Sequence, residues 1–353
     1  MSRIVASNLT LQTTAQSTPA TPAWFGEVTL IASYLTRQGI LTAIAEQVRF
    51  ARRRFGHYDL IDFVAVLVGY AVSSERTLEA FYERLQPWAS AFMALFGRDR
   101  MPARSTLSRF LAALEAPPVE ALRALFLSDL LARLLDTEGQ AEGLWDRQGI
   151  RWVVFDVDST REAARQRALP QTPDRPAPQR RLRPLCTPGY TGRKRGEVDR
   201  TRTTVLQAHT HQWLGTFGNP GNGQYRVELR RAVATLQSYL TAYQLSEART
   251  LVRLDGQYGT GAVLADLGGL AFVTRGKEYQ LLSRAEVQAR LRLPSDQEFS
   301  RPESGISRTL YDCPRCLWGP RGSAAGWWWR PIRRGQPRAG WASNGPGWCT
   351  SCS

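Results

Sequence analysis

The chain divides into two patterns of hydrophobic and polar positions. Between residues 23 and 145, apolar residues recur every three or four positions, which is typical of amphipathic helices. Gly, Pro and charged turns separate the predicted helices, which are Gly26–Ala51, Leu60–Tyr70, Ser74–Leu85, Trp88–Phe96, Ser105–Leu114 and Pro118–Leu135. We therefore predict an all-helical domain over residues 23–145, preceded by a disordered polar leader at residues 1–22.

From Ile150 the pattern changes to strands, after a polar hinge at residues 137–149. The elements predicted there are strands Trp152–Val157, Thr203–His209 and Gln212–Phe217, helix Val227–Tyr243, strand Thr250–Leu254, helix Gly259–Leu267 and strand Leu270–Thr274. The second and third strands are close enough in sequence to form a hairpin, and Trp213 is predicted to lie in the core. The order β-β-β-α-β-α-β predicts a mixed sheet flanked by helices.

Carboxylates stand at the ends of two of these predicted strands. Asp156 and Asp158 alternate at the end of the first strand and so share one of its faces, whereas Asp255 directly follows the strand Thr250–Leu254. Cleavage of a phosphodiester by two metal ions needs carboxylates that converge from separate strands. The sequence therefore predicts that Asp158 and Asp255 meet around a divalent metal, with Asp156 as a rival for the first position.

The balance of charge bears on the partner. The chain has 46 Lys and Arg against 31 Asp and Glu, a net charge of +15. A polyanion is the expected partner, and nucleic acid fits scattered basic clusters better than a membrane does. A basic protein from a genome of biased composition would have the same balance.

No transmembrane segment is predicted. The longest nearly apolar run, Phe63 to Val72, is far shorter than the roughly 20 residues that span a bilayer. The leader has no apolar stretch of the kind found in signal peptides. We expect a cytoplasmic location.

Two basic segments are candidates for DNA contact. Arg104, Ser105, Ser108 and Arg109 surround a predicted helix N-terminus, a geometry suited to phosphate. They fit a helix-turn-helix reading element and equally the solvated first turn of a bundle helix.

The insert at residues 161–200 is the second candidate. It holds eleven Lys and Arg against four acids, and its Gly-bracketed tip contains Arg193, Lys194 and Arg195. Such a loop suits contact with the DNA backbone, although a solvated charged loop has the same composition.

Several of these segments together resemble the DDE transposases of bacterial insertion sequences. The resemblance covers about residues 55 to 312 and rests on the order of the elements and on three motifs. These are Arg104-Ser105-Thr106-Leu107-Ser108-Arg109-Phe110, Asp158-Ser159-Thr160 and Leu254-Asp255-Gly256-Gln257-Tyr258-Gly259. It implies a ribonuclease H-like catalytic domain over residues 150–312 that cleaves transposon-end DNA and transfers strands with Mg²⁺ or Mn²⁺. It also implies Asp158 and Asp255 as the first two acids, double-stranded DNA as partner, and a homodimer.

The third acid of that family has no counterpart here. It is a Glu on a helix that usually lies well over a hundred residues past the second Asp, whereas 353 − 255 = 98 residues remain. Glu278, Glu286, Glu298 and Glu303 do not stand in the expected pattern. The catalytic domain is therefore expected to be partial, and the chain to bind DNA without cleaving it.

The composition changes sharply at Cys313. Six of the eleven Trp and no acidic residue lie in residues 313–353, where no helical or strand period is found. Cys313, Cys316, Cys349 and Cys352 formally match a zinc ribbon, but the pairs are far apart for that site. A frameshift near residue 315 explains the composition better, and an authentic basic tail is the remaining alternative. We expect the C-terminal tail to be disordered.

Three other interpretations remain open. Val153 to Thr160 resembles the first motif of haloacid-dehalogenase phosphatases, which implies Asp156 as nucleophile and Asp158 as acid and base. The chain is alternatively a non-catalytic DNA-binding remnant of a transposase. His209 and His211 alternate on the predicted second strand and could form a metal pair, but surface positions explain them better.

Overall fold

The structure is a computed structural model, and it divides into two compact units, residues 1–129 and 130–353. It describes residues 21–49, 57–133, 143–146, 148–164, 172–174, 187–188, 198–221, 225–277, 279–301, 306–312, 327–329 and 341–343.

The first unit is helical, as predicted. Its helices are α1 Phe25–Arg37, α2 Ile40–Gln47, α3 Leu60–Ser73, α4 Leu78–Leu85, α5 Ala89–Ala94, α6 Arg104–Ala113 and α7 Ala116–Leu131, which ends just beyond the boundary of the unit. The prediction of one helix over Gly26–Ala51 was wrong. Gly39 interrupts it with a φ of 68°, a left-handed conformation that glycine adopts at little cost, and α2 begins one residue later.

Aromatic side chains form much of the core of this unit. The rings of Phe63 and Phe110 stack with centroids 4.0 Å apart, and Phe81 and Phe92 are fully buried. Gly69 of α3 admits Phe92, because a Cβ at position 69 would lie 2.5 Å from its ring. Among the described residues no single helix is long and apolar enough to span a membrane; the pair α1–α2, bent by 65°, passes the same test only when joined.

The second unit is built on a sheet. The strands that carry the site are β1 Leu144–Trp145, β2 Arg151–Ala164, β3 Thr187–Pro188, β4 Val198–Gln207, β5 Trp213–Pro220, β6 Thr250–Leu254 and β7 Ala271–Thr274. Helix α8 Tyr225–Ala242 precedes β6, and short helical turns, including α9 Gly261–Leu264, join β6 to β7. The predicted hinge at residues 137–149 thus contains β1, which pairs with β2.

Five of these strands form a mixed sheet in the order β5-β4-β2-β6-β7. β4 runs antiparallel to both β2 and β5, which confirms the predicted hairpin, whereas β2, β6 and β7 are mutually parallel. A helical region followed by a mixed sheet with helices is the predicted fold class, and the sheet is consistent with a ribonuclease H-like domain. The first strand does not end at Val157 as predicted, because antiparallel pairing with β4 continues it to Ala164.

The two faces of the sheet differ in what they bury. Phe155, Val157 and Ser159 of β2 are buried on the face that packs against α8. On that face the ring centroids of Phe155 and Tyr239 lie 5.3 Å apart. The opposite face begins with a small apolar cluster made by Trp152, Val154, Leu251 and Ala271. Acidic residues follow this cluster along β2, toward the carboxyl end of the parallel strands.

The remaining described elements of this unit are α10 Ala285–Leu291 and strands β8 Gln297–Arg301, β9 Ile306–Asp312, β10 Trp327–Trp329 and β11 Trp341–Ser343. β11 pairs with β7, and β10 lies between β11 and β9. The sequence after Cys313 predicted no strand, so β10 and β11 differ from that prediction. The other residues of 313–353, including all four cysteines, lie outside the described residues.

Candidate functional site

Asp158 and Asp255 lie side by side on adjacent parallel strands. The parallel register pairs Val157 with Leu254, and the next residues of the two strands are these two acids. The backbone N–H of Asp255 donates to the carbonyl of Val157 at 3.3 Å, so the ladder continues to this point. Parallel strands lie about 4.8 Å apart, and register partners share a face. The fold therefore brings the two carboxylates together at one edge, with Asp158 exposed and Asp255 half-buried.

Asp156 lies one pleat away on the same face but is held by a cation. Its Oδ1 and Oδ2 accept hydrogen bonds from Nε and Nη2 of Arg253 at 2.5 and 2.6 Å. A planar guanidinium that contacts both oxygens leaves the carboxylate few free lone pairs. This geometry favours Asp158 over Asp156 as a metal ligand and makes Asp156 a poor nucleophile, against the phosphatase interpretation.

The segment that follows β6 is anchored to both neighbouring strands. Gln257 Nε2 donates to the carbonyl of Ser159 on β2 at 3.0 Å, and Thr274 Oγ1 on β7 donates to the carbonyl of Asp255 at 3.2 Å. Gly259 permits a close approach, since a Cβ there would lie 1.9 Å from the carbonyl oxygen of Arg275. Asp255 is consequently held from both sides.

Lys277 supplies positive charge beside the acid pair. Its Nζ donates to the carbonyl of Gln257 at 3.1 Å and lies 5.0 Å from the ring centroid of Tyr225. Burial lowers the pKa of Lys277, nearby Asp255 raises it, and Arg161 lowers it. The ammonium group therefore lies in the electrostatic field of both Asp255 and Arg161.

The arrangement fits a hydrated divalent cation in its donor chemistry. Mg²⁺ and Mn²⁺ take oxygen ligands, and Mg²⁺ is commonly held by one or two carboxylates together with substrate phosphates. Thr160 Oγ1 donates to Asp158 at 3.3 Å, which orients that carboxylate. Gln257 Oε1 is buried and has no hydrogen-bond partner among the described residues, so it is available to a water or other donor at the site.

The described residues add no third acid to this pair. No group of three or more His, Cys, Asp or Glu side chains able to hold a metal occurs among them. Two of the glutamates considered in the sequence have other partners. Glu286 Oε1 lies 3.9 Å from Arg284 Nη1, and Glu298 Oε1 accepts a hydrogen bond from Ser295 Oγ. Glu278 and Glu303 lie outside the described residues.

The candidate DNA-contact residues of the first unit lie on α6. Thr77 caps α4 by accepting a hydrogen bond from the N–H of Ala80, whereas Ala103, which has no capping side chain, precedes α6. Arg104 forms an ion pair of 2.7 Å with Glu79, and Arg109 donates to the carbonyl of Ser105. A surface cavity of about 620 Å³ is lined by Thr77, Leu78, Glu79, Arg104, Ser105, Ser108 and Arg109.

The other predicted residues are placed differently. Arg193, Lys194 and Arg195 lie outside the described residues. His209 and His211 lie in the turn between β4 and β5, not on a strand, because β4 ends at Gln207; His211 has a φ of 56°. Trp213 is 41% exposed, so its predicted core position was wrong.

Three residues of the site were missed in the sequence. Lys277 follows a predicted strand at its carboxyl end, which was a usable signal. Glu228, whose buried carboxyl accepts hydrogen bonds from Ser159 and Tyr258 behind the acid pair, falls in phase with the apolar positions of α8, where an acid is unusual. Nothing in the sequence indicated that Arg253 faces Asp156, because that contact depends on the register of two strands distant in the chain.

No protein-family profile matches the chain, and no curated protein matches its sequence. Among solved structures, it is similar to a piggyBac transposase in a synaptic complex with hairpin DNA, determined by cryo-electron microscopy. The TM-score is 0.38 at 10% identity, and the likeness covers 94% of this chain and 62% of that chain. This chain thus matches less than two thirds of that transposase, and at this TM-score no activity is carried over.

Proposed function

We propose that the chain is a DNA-binding protein of the DDE transposase type, in which Asp158 and Asp255 hold a divalent metal ion for phosphodiester chemistry. The observation that supports this proposal is the parallel pairing of Val157 with Leu254, the residues that directly precede Asp158 and Asp255. Asp156 cannot serve equally well, because Arg253 occupies both of its oxygens.

Each group at the site has a defined role in this proposal. When bound, Mg²⁺ or Mn²⁺ supplies Lewis-acid activation of water and stabilises negative charge on the leaving oxygen. Asp158 and Asp255 provide the anionic ligands, and Thr160 orients Asp158. Gln257 Oε1 would accept a hydrogen bond from a water at the site. Lys277 and Arg161 balance the charge of an approaching phosphate.

Binding of DNA rests on charge outside this pair. The net charge of +15 attracts a polyanion, and each neutralised phosphate releases counterions. Arg104 and Arg109 are assigned to phosphate contact at the cavity between α4 and α6, and Arg193, Lys194 and Arg195 to the backbone. Two transposon ends bound together would need two active sites, so we also propose a homodimer.

Two acids are fewer than strand cleavage requires in this type of site. We assign metal-dependent DNA cleavage and strand transfer to the complete type of catalytic domain from which this chain would derive. For the chain itself we propose DNA binding without cleavage. The chain would then be a non-catalytic, DNA-binding remnant of a transposase.

The test combines binding with nicking. Affinity of the full chain for a labelled duplex is measured from 50 to 300 mM salt, and supercoiled plasmid is incubated with the chain and Mn²⁺. We expect log Kd to rise linearly with log salt and the plasmid to remain intact. Nicking by the chain that is lost in Asp255→Ala would show an active enzyme and overturn the inactive assignment. Absent or salt-insensitive DNA binding would overturn the nucleic-acid proposal as a whole.

A further inference from the structure

A fully buried carboxyl group lies directly behind the acid pair, on the opposite face of the sheet. Glu228, in the first turn of α8, has no exposed surface. Its two oxygens accept hydrogen bonds only from hydroxyl groups in the contacts the structure shows. The donors are Thr201 at 2.6 Å, Thr203 at 3.1 Å, Ser159 at 3.3 Å and Tyr258 at 3.4 Å.

These contacts form a closed hydroxyl cage, defined here as Glu228 with Ser159, Thr201, Thr203 and Tyr258. Thr201 donates to Oε1, whereas the other three hydroxyls converge on Oε2. The hydroxyls of Thr203 and Tyr258 also lie 3.1 Å apart, so one of them can donate to the other instead of to Glu228. Burial raises the pKa of Tyr258, so its phenol keeps its proton and serves as a donor.

The position of the cage within α8 is specific. The buried side chains farther along the same helix are mostly apolar, namely Leu229, Ala232, Val233, Leu236 and Leu240. A buried carboxyl is costly unless fully hydrogen-bonded, and an apolar residue of similar size is often as stable or more stable. A polar cage at this one place is therefore poorly explained by stability alone.

The cage includes one residue from each of the two segments that carry the acid pair. Ser159 directly follows Asp158, and its side chain points to the opposite face of β2. Tyr258 lies three residues after Asp255, in the turn that Gln257 also ties to Ser159 at 3.0 Å. The Glu228 carboxyl thus links the segment that carries Asp158 to the segment that carries Asp255.

We propose that Glu228 is a positioning residue that sets the spacing of Asp158 and Asp255 for a divalent cation without contacting the cation. The inference rests on the proposed function, because it concerns the affinity of the same metal site. Groups that orient metal ligands typically change metal affinity by about 10- to 100-fold when mutated.

The test measures Mn²⁺ binding directly. The full chain is titrated with Mn²⁺, and the free ion is followed by its electron paramagnetic resonance signal, for the wild type, Asp158→Asn, Glu228→Gln and Thr235→Val. Glu228→Gln keeps the size of the side chain but replaces one acceptor by a donor. Thr235→Val is the matched control, a buried hydroxyl of α8 that bonds only to the carbonyl of Arg231 in the contacts shown. Circular dichroism and thermal unfolding are recorded for each.

The expected result is a Kd for Mn²⁺ raised about 10- to 100-fold in Glu228→Gln and unchanged in Thr235→Val. A purely structural role would shift the thermal midpoint but leave the Kd of the folded chain unchanged. An unchanged Kd in Glu228→Gln overturns this inference alone. If the wild type shows no Mn²⁺ binding that is lost in Asp158→Asn, both the metal site and the inference are overturned.

Two milder variants decide the matter if Glu228→Gln does not fold. Ser159→Ala and Tyr258→Phe each remove one donor from the cage and leave the carboxyl in place. Both are expected to raise the Kd for Mn²⁺ by several-fold, less than loss of the acceptor itself. Wild-type affinity in both would overturn the inference.

Discussion

Asp156 and Arg253 are register partners on β2 and β6, and they form a two-pronged ion pair with contacts of 2.5 and 2.6 Å. The pair separates the apolar start of this sheet face from the acid pair at its end. It also gives the two aspartates of the Asp156-Val157-Asp158 segment different chemistry. Asp156 neutralises the guanidinium of Arg253 on the neighbouring strand, whereas Asp158 remains exposed beside Asp255.

Substituting these two aspartates separately should therefore give opposite results. Asp156→Asn should lower the free energy of unfolding by roughly 1 kcal/mol, because a partly exposed bidentate pair is lost, and should leave Mn²⁺ binding intact. Asp158→Asn should leave stability nearly unchanged and abolish Mn²⁺ binding. Urea unfolding and Mn²⁺ titration of both variants measure this. Loss of metal binding in Asp156→Asn alone would reverse the assignment.

Gly259 should tolerate no side chain. A Cβ at this position would overlap the carbonyl of Arg275 at 1.9 Å, so the turn that carries Gln257 must move. We expect Gly259→Ala to cost about 1–3 kcal/mol of stability, as overpacking usually does, and to weaken Mn²⁺ binding. Gly218→Ala is the control, since a Cβ there meets nothing within 4 Å. Equal behaviour of the two variants in urea unfolding would contradict the account of the turn.

Lys277 should contribute to DNA binding in a pH-dependent way. Partial desolvation holds its pKa below the usual 10.5, so the ammonium loses its charge at a lower pH than an unperturbed lysine. Lys277→Gln should reduce the slope of log Kd against log salt by about 1. The affinity advantage of the wild type over this variant should vanish as pH rises through the folded-state pKa. Fluorescence anisotropy with a labelled duplex at several pH values tests this, and a pH-independent advantage would argue against the lysine.

Asp266 should stabilise the second unit in a manner that acid removes. Hydrogen bonds from Arg226 and Arg230 hold its pKa below the usual 3.8, so the folded state favours the charged form. This contribution is complete above pH 3.8 and is lost as pH falls through the lower, folded-state pKa.

Thermal unfolding of Asp266→Asn against pH measures the contribution. The variant should unfold at a lower temperature than the wild type near neutrality, and the gap should close in strong acid. Glu247→Gln, at an exposed acid, is the control. A gap that persists in strong acid would mean that the side chain acts through packing and not through charge.

Arg104 and Arg109 should differ in their effect on DNA affinity. Arg109 contacts only α6 itself in the bonds shown, whereas Arg104 is paired with Glu79 at 2.7 Å and must exchange that partner for a phosphate. Arg109→Gln should reduce the salt slope by about 1, and Arg104→Gln by less. Arg37→Gln, in the last turn of α1, is the control. Identical salt slopes in all three variants would exclude the α4–α6 cavity as a DNA contact.

The sequence by itself determined most helices of the first unit and the five main strands of the second, in their order. Apolar periodicity located the helices and the strands of the mixed sheet, because that pattern depends on neighbours along the chain. The strand Thr250–Leu254 was predicted at its observed bounds. The rule that chemistry lies at the carboxyl ends of parallel strands selected Asp158 and Asp255, which the fold then places side by side.

The tertiary structure decided which groups meet. Arg253 faces Asp156, Glu228 gathers four hydroxyls from three other segments, and Lys277 lies beside Asp255. Each of these contacts depends on strand register or helix rotation, which long-range packing sets and local pattern does not. The length of β2 was decided in the same way, because pairing with β4 carries the strand past the acids that seemed from the sequence to end it.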